Sequence, residues 1–273
     1  MKKALLLVLI IATALFAQQM EQLKLNIGSM LVTNFETEVQ YSNSNIPIGI
    51  VINTKDQLGM ESDNAAFYLS GYYRFNHKHA LGFSYYDIKS NGNILHLSKD
   101  IPWGNNTIKA GAKVDSYFNM GVYKLNYLYS FYHNDDIELQ LSAGLHVTRV
   151  RTGLHAFGSI QDSNGTISTA EDYASNTSTT LPLPVVGFNG RYEILTQKLS
   201  VLYSSEFFVL KIGDYKGSFI QNSLGVEYRF MQNLAAGLAF NASEIYIETT
   251  KDDNKLKIQN NLGGFLLNLS YYY

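Results

Sequence analysis

Apolar and polar residues alternate at every second position through long parts of the chain. In residues 137–147, Ile, Leu, Ala and Val at the odd positions alternate with Glu, Gln, Ser, Gly and His at the even ones. The same period of two occurs in residues 81–86 and 220–230. Successive side chains of a β-strand point to opposite faces, so this pattern predicts strands with one apolar and one polar face.

Strands of this kind account for most of the chain. The ten predicted strands are residues 23–41, 64–75, 79–89, 114–132, 137–152, 182–195, 198–211, 218–230, 234–247 and 258–273. Short turns alternate with longer polar loops, which are predicted near 42–63, 90–113, 153–181, 212–217 and 248–257. An even number of antiparallel strands with alternating short and long connections is typical of barrels that cross a bacterial outer membrane. The predicted fold class is therefore all-β, a transmembrane antiparallel up-and-down barrel of ten strands.

Pairs of aromatic or large apolar residues precede the short turns. The pairs are Tyr73 and Phe75, Tyr129 and Phe131, Tyr192 and Ile194, Tyr228 and Phe230, and Tyr271 and Tyr273. Amphipathic rings favour the boundary between hydrocarbon and water. The pairs predict an aromatic girdle at one membrane interface.

The last strand alternates up to the end of the given sequence. Its apolar positions are Phe265, Leu267, Leu269, Tyr271 and Tyr273. This segment resembles the C-terminal signature of outer-membrane barrel proteins, and the mature chain as a whole resembles small Gram-negative outer-membrane β-barrel proteins. The resemblance implies that the barrel-assembly machinery is a partner during biogenesis.

Residues 1–17 are predicted to be a cleaved signal peptide. Lys2 and Lys3 form a basic start, an apolar stretch follows, and Ala17 completes a small-residue cleavage site. Residues 18–273 are then the barrel, exported to the cell outer membrane. The expected partners there are outer-membrane lipid and lipopolysaccharide, while the extracellular ligand is left open.

Composition narrows the possible functions. The 273 residues carry 16% charged and 13% aromatic residues and a formal net charge of −2. Without a basic excess, no nucleic-acid partner is expected. There is no cysteine, so stability must come from hydrogen bonding and packing. After residue 17, no apolar run reaches the roughly 20 residues of a membrane-spanning helix.

No catalytic, cofactor-binding or metal-binding residues are predicted. Among the six histidines, only His146 falls on a strand at an inward position, where a hydrogen-bonded lumen residue is the expected role. The pairs Asp135–Asp136 and Asp252–Asp253 fall in a periplasmic turn and an outer loop, without a histidine close in sequence. No cofactor is expected.

The inward positions predict a balanced set of charges. The predicted lumen network consists of Arg74, Lys124, Arg191, Arg229, Glu138, Glu193, Glu206 and Glu227. Porins commonly use patches of one sign to steer solutes, whereas equal numbers of both signs suit mutual pairing. Ten strands also enclose little more than the volume that side chains fill. The lumen is therefore predicted to be packed or very narrow.

Three functional classes follow from this sequence. The favoured one is a non-enzymatic outer-membrane barrel of structural or surface-interaction type. A small-solute channel and a barrel enzyme acting on envelope lipid or peptide are the alternatives. A soluble periplasmic all-β binding protein is a more distant one.

Overall fold

The computed structural model describes residues 21–43, 46–53, 59, 64–103, 106–251 and 254–273. The predicted signal peptide lies outside the described residues. Among the described residues, no helix is long and apolar enough to cross a membrane.

The described chain consists of strands joined by turns and short loops. The strands are β1 (Leu23–Asn43), β2 (Ile46–Asn53), β3 (Asn64–Arg74), β4 (His79–Ile94), β5 (Ile101–Trp103), β6 (Asn106–Ile108), β7 (Lys113–His133), β8 (Ile137–Gln161), β9 (Ile167–Leu195), β10 (Leu199–Ile212), β11 (Tyr215–Met231), β12 (Leu234–Lys251) and β13 (Asn254–Tyr272).

Ten of these strands form a closed antiparallel ring in the described part of the chain. Each pairs with the next along the sequence, in the order β1, β3, β4, β7, β8, β9, β10, β11, β12 and β13. β13 closes the ring by pairing with β1 from Lys24↔Tyr272 to Ser42↔Lys255. The predicted ten-stranded antiparallel barrel is confirmed.

The strands at the long-loop end run further than predicted. β8 continues to Gln161 and β9 begins at Ile167, so most of the predicted loop 153–181 is a paired hairpin. The predicted loop 212–217 is also wrong, because only residues 213 and 214 separate β10 from β11. Within the predicted loop 90–113, β5 and β6 form a small hairpin whose second strand pairs with the end of β8.

In two of the short turns, an asparagine side chain accepts hydrogen bonds from the backbone of the turn. The Asn76 side-chain oxygen accepts the N–H groups of Lys78 and His79, at 2.9 and 3.1 Å. The Asn134 oxygen accepts those of Asp136 and Ile137, at 3.0 and 2.7 Å. Asparagine favours turns because its side chain replaces a backbone acceptor in this way. These turns fix the register of the strands that they join.

The outer wall is apolar from the short turns to about Tyr123 on β7. Exposed, outward side chains of this band include Leu25, Ile27, Phe67, Leu125, Leu141, Leu145, Leu224, Val226, Leu238, Phe265, Leu267 and Leu269. Aromatic residues border the band at the short-turn end, where Tyr73, Phe75, Tyr192, Tyr228 and Phe230 are exposed. The height and border of this band are those expected of a surface in contact with lipid.

Beyond this band the polarity of the two faces is reversed, so that the outer face is polar and the inner face is apolar. In the second half of β7, the apolar Leu125 points outward and the polar Asn126 points inward. In the first half the polar side chains of Asp115 and Asn119 point outward. The inward side chains there are apolar: Val114, Phe118, Met120 and Val122. β4 and β8 change in the same way, with Ile88 and Leu154 fully buried inside. The exchange marks the level at which the wall leaves the membrane, because a surface in water is polar outside and apolar inside.

The inward apolar residues form a core that closes the long-loop end. The loop that carries β5 and β6 folds onto it and buries Leu97, Ile101 and Ile108. Asp100 holds this loop, since it accepts the Ala110 N–H at 2.8 Å and an ion pair from Lys109. The Lys109 ammonium and the Ala110 N–H lower the pKa of Asp100 below its ordinary value. We call this core the apolar layer.

Candidate functional site

The end of the lumen next to the short turns is filled with ion pairs, which we call the charge layer. Arg74, at the end of β3, lies 2.8 Å from Glu138 at the start of β8. Ser130 donates to Glu138 at 2.6 Å and Gln140 at 2.9 Å. The Arg74 side chain is 5% exposed, so this pair is largely withdrawn from water.

Glu227 is the centre of the charge layer. Its carboxylate accepts Lys24 Nζ at 2.6 Å and Ser270 Oγ at 2.9 Å. The Tyr272 hydroxyl donates to the other oxygen, and Arg191 lies 3.8 Å away. Glu227 is 2% exposed. The buried negative charge is thus compensated by one ammonium, two hydroxyls and a nearby guanidinium.

Two further arginines complete the charge layer. Arg191 donates to Glu193 at 2.6 Å and to Ser200 at 3.0 Å. Arg229 pairs with Glu21 and lies over the Tyr272 ring, 4.0 Å from the ring centre. The structure therefore brings the predicted lumen charges into pairs, but the main partners of Glu227 and Arg229 are Lys24 and Glu21, which were not in the predicted set. Lys24 could have been found, since it alternates with the outward Leu23 and Leu25.

The remaining predicted pair lies higher in the lumen. Lys124 Nζ is 2.5 Å from Glu206 and 2.7 Å from Gln221 Oε1. Asn126 donates to the other oxygen of Glu206 at 2.7 Å. These contacts join β7 to β10 and β11 across the lumen.

Between the charge layer and the apolar layer lies a polar space, which we call the central cavity. It comprises two adjoining volumes of about 260 Å³ each, both lined by Lys24, Asn26, Tyr68 and Ser70. Tyr68 and Tyr86 stack against each other at 6.5 Å on its wall. Among the described residues, the side-chain oxygens of Asn26 and Asn126 are buried without a protein donor. Lysine, serine, asparagine and glutamine side chains line the two volumes, so the cavity can hold small polar molecules.

His146 occupies the border between the Lys124–Glu206 pair and the apolar layer. It is fully buried and its ring contacts Phe219 edge-on at 4.4 Å. Neither ring nitrogen has a hydrogen-bond partner within the described residues. The inward placement is as predicted, whereas the expected hydrogen-bonded role is wrong, because aromatic and aliphatic side chains surround the ring.

The described part of the chain contains no candidate metal site. No group of three His, Cys, Asp or Glu residues there could hold a metal ion. One acid–histidine juxtaposition arises from the register, since Asp115 stands opposite His155 on the outer face of the β7–β8 pair. This corrects the placement of His155 in an outer loop. Asp252 and Asp253 lie outside the described residues.

The residues of the predicted assembly signature lie on β13. Phe265, Leu267 and Leu269 are exposed on the outer wall, and Tyr273 follows the strand and is 44% exposed. Tyr271 is half-buried, opposite Leu25 and Leu234. Tyr272 between them points inward and is 2% exposed. The final strand thus presents an apolar face to lipid, and it places the Tyr272 hydroxyl in the charge layer.

Comparison with solved structures gives barrels of the outer membrane. The outer membrane protease OmpT from Escherichia coli aligns with a TM-score of 0.60 and 10% identity, covering 92% of this chain and 96% of that chain. OprG from Pseudomonas aeruginosa aligns with a TM-score of 0.39 and 12% identity, covering 94% and 98%. Ail from Yersinia pestis aligns with a TM-score of 0.30 and 11% identity, covering 90% and 99%.

No protein-family model and no curated protein sequence matches the chain. At 10% identity, the alignment with OmpT concerns the backbone and carries no residue of that protease to this one. The chain has the fold of the outer-membrane β-barrel proteins of Gram-negative bacteria.

Proposed function

We propose that this protein is a non-enzymatic barrel of the outer membrane whose lumen is closed along its axis and whose function lies in its extracellular surface. The observation that carries the proposal is the double closure of the lumen. The charge layer fills the periplasmic end, and the apolar layer with its β5–β6 loop fills the extracellular end. Such closure favours structural or surface-interaction roles over general solute passage.

The wall above the membrane supports an interaction with the polar parts of lipopolysaccharide. Arg149 and Arg151 are exposed on the outer face of β8, just beyond the apolar band, and Lys89 is exposed on β4. Phosphate groups at a membrane surface attract cations held at this height. These side chains therefore provide the contact that we expect with the outer leaflet.

Closure predicts little or no conductance. Purified protein in planar bilayers is expected to show no large, steady channel and weak ion selectivity, because paired charges and apolar side chains block the axis. The direct comparison is a variant in which residues 98–110 are replaced by a short Gly-Ser linker. This variant removes the loop from the extracellular mouth and, in a Glu227→Ala background that also opens the charge layer, should raise conductance.

The control for this experiment is Glu206→Ala, which removes the partner of Lys124 below the apolar layer. Its conductance should rise less than that of the loop variant, since the upper closure stays in place. Heat-modifiable migration on a denaturing gel checks that each variant is folded. A large, strongly selective channel formed by the unmodified protein would contradict the closed lumen and favour a porin.

A second candidate function, passage of a small polar solute, is favoured by the central cavity. Its volumes of about 260 Å³ and its polar lining, which includes Lys24, Asn26 and Ser70, suit a small polar molecule. In this case liposomes with the unmodified protein would swell in a small polyol although large solutes stay excluded.

Assembly is expected to depend on the final aromatic residue. We propose that the barrel-assembly machinery recognises β13 after signal-peptide cleavage. Deletion of Tyr273, or Tyr273→Lys, should lower the amount of folded protein in the outer membrane, whereas Tyr273→Phe retains the ring and should assemble normally. Outer-membrane fractionation with the heat-modification gel measures this. Equal levels of all three variants would count against the signature.

A further inference from the structure

In the part of the wall that the structure describes, a seam lies inside the apolar band between β9 and β10. The two strands pair from Leu199↔Leu195 to Phe207↔Val186, and no pairing follows among the described residues. Both strands nevertheless continue, β9 back to Ile167 and β10 on to Ile212. β10 remains paired with β11 as far as its end. We call the unpaired stretch of residues 182–185 and 208–211 the seam.

Two prolines account for the seam. The Glu193 N–H donates to the Asp136 carbonyl on the β8 side at 2.7 Å. The backbone N–H and C=O groups of odd-numbered β9 residues therefore point towards β8, and those of even-numbered residues point towards β10. The β8–β9 register is unbroken from Tyr192 to Tyr173, which places the nitrogens of Pro182 and Pro184 towards β10. Proline has no N–H to donate to a neighbouring strand. The β10 carbonyls opposite them have no donor on β9.

The seam lies in the outer-leaflet half of the apolar band. Pro184 is in register with Leu145 and Leu125, and Pro182 with Tyr123, which is the last outward apolar residue before the wall exchanges character. On the other side of the seam, Val209 is 79% exposed. An unpaired strand edge within hydrocarbon is costly, so this stretch needs an occupant or a closure of its own.

Apolar side chains close the seam from inside. Leu183 and Val185 of β9 pack with Phe208, Phe219 and Ile245, and all five are buried. Side-chain packing thus closes the wall where the ladder of β9 and β10 ends. Lys211 is exposed at the outer end of the seam, where an anionic group at the membrane surface would lie.

We propose that the seam binds the alkyl chain of an anionic single-chain amphiphile, of the chemical class of a fatty acid, which enters from the outer leaflet. The chain displaces the packed side chains and lies between β9 and β10, against Phe208 and Leu183. The head group remains at the membrane surface beside Lys211. This site is lateral, so it adds to the axial closure proposed above and does not depend on it.

The test places a tryptophan reporter behind the seam. Phe208→Trp is made in a Trp103→Phe background, so that it is the only tryptophan, and the protein is reconstituted in phosphatidylcholine vesicles. Dibrominated stearate, which quenches tryptophan on contact, is added at rising mole fractions. Quenching of the reporter should saturate at a mole fraction several-fold below that needed with dibrominated phosphatidylcholine.

The matched control is Leu266→Trp in the same background. Leu266 is also inward and 8% exposed, as is Phe208, and it lies within the apolar band between the outward Phe265 and Leu267, but its strand β13 is paired on both sides. Its quenching by the two brominated lipids should be weak and equal. Equal quenching of both reporters by dibrominated stearate would overturn the proposal.

Two variants test the chemistry of the seam itself. Pro182→Val with Pro184→Val restores both N–H donors, which allows β9 and β10 to pair along the seam. The saturable quenching of the Phe208→Trp reporter should then be lost. Lys211→Glu should raise the mole fraction for half-maximal quenching by dibrominated stearate several-fold, without changing that for a dibrominated alcohol of the same length. Quenching unaffected by the restored donors would contradict entry through the seam.

Discussion

Glu227→Ala should destabilise the barrel by about 3–5 kcal/mol, the cost of leaving a buried charge without its partner. In the folded protein Lys24 is 7% exposed, and its Nζ lies 2.6 Å from Glu227. After truncation the ammonium stays buried beside the positive Arg191. Ser270 and Tyr272 also lose the acceptor that they share.

Urea titration in detergent or short-chain lipid, followed by the heat-modification gel, measures this loss as a shift in the unfolding midpoint. The double variant Lys24→Met with Glu227→Leu removes both charges and should recover much of the stability. Asp87→Ala serves as the surface control, because Lys89 in that pair is 70% exposed at 3.6 Å, and an exposed pair is worth about 0–1 kcal/mol. A Glu227→Ala effect no larger than that of Asp87→Ala would mean that the charge layer does not stabilise the barrel.

The second large effect is expected on the lipid-facing wall. Leu125 is 54% exposed on the outer face of β7, within the apolar band between the aromatic girdle and the level where the wall changes character. An arginine at the bilayer midplane costs roughly 2–4 kcal/mol in a barrel. Leu125→Arg should therefore lower the free energy of unfolding by about this amount.

The neighbouring residue provides the control. Asn126 points inward, lines the central cavity and contacts Glu206 at 2.7 Å. Asn126→Arg can keep that contact and extend into the cavity, so it should cost much less. Folding yields into lipid vesicles and urea midpoints compare the two variants. Equal losses would contradict the assignment of Leu125 to the outer face and Asn126 to the inner face of β7.

The sequence predicted the strands well because alternation is a local property. All ten barrel strands were found within the apolar band, and the turns at Asn76 and Asn134 stand where expected. The inward charges followed from the same alternation. Which of them pair could not be predicted, because contacts such as Lys24 with Glu227 join residues far apart along the chain.

The apolar layer was missed for a different reason. An alternating pattern shows that two faces differ, but it does not say which face is inside. In β7 the apolar parity changes from odd at Leu125 to even at Val122 and Met120. Once the wall rises above the lipid, the core replaces the bilayer as the place for apolar side chains. The pattern therefore predicts polar loops at residues 153–161 and 167–181, which are strands that lie beyond the apolar band.

The long β8–β9 hairpin determines which residues of the protein are most accessible at the long-loop end. From Thr148 to Gln161 the strand rises by roughly 40 Å at about 3.3 Å per residue, with β9 paired alongside except at one bulge. Its tip is a tight turn in which Asp162 accepts the N–H groups of Asn164 and Thr166, at 2.9 and 2.8 Å. Continuous pairing of the two strands keeps the hairpin extended and stiff. The five residues of the tip, 162–166, are all exposed, so they offer the first contact to a large molecule that approaches this end of the barrel.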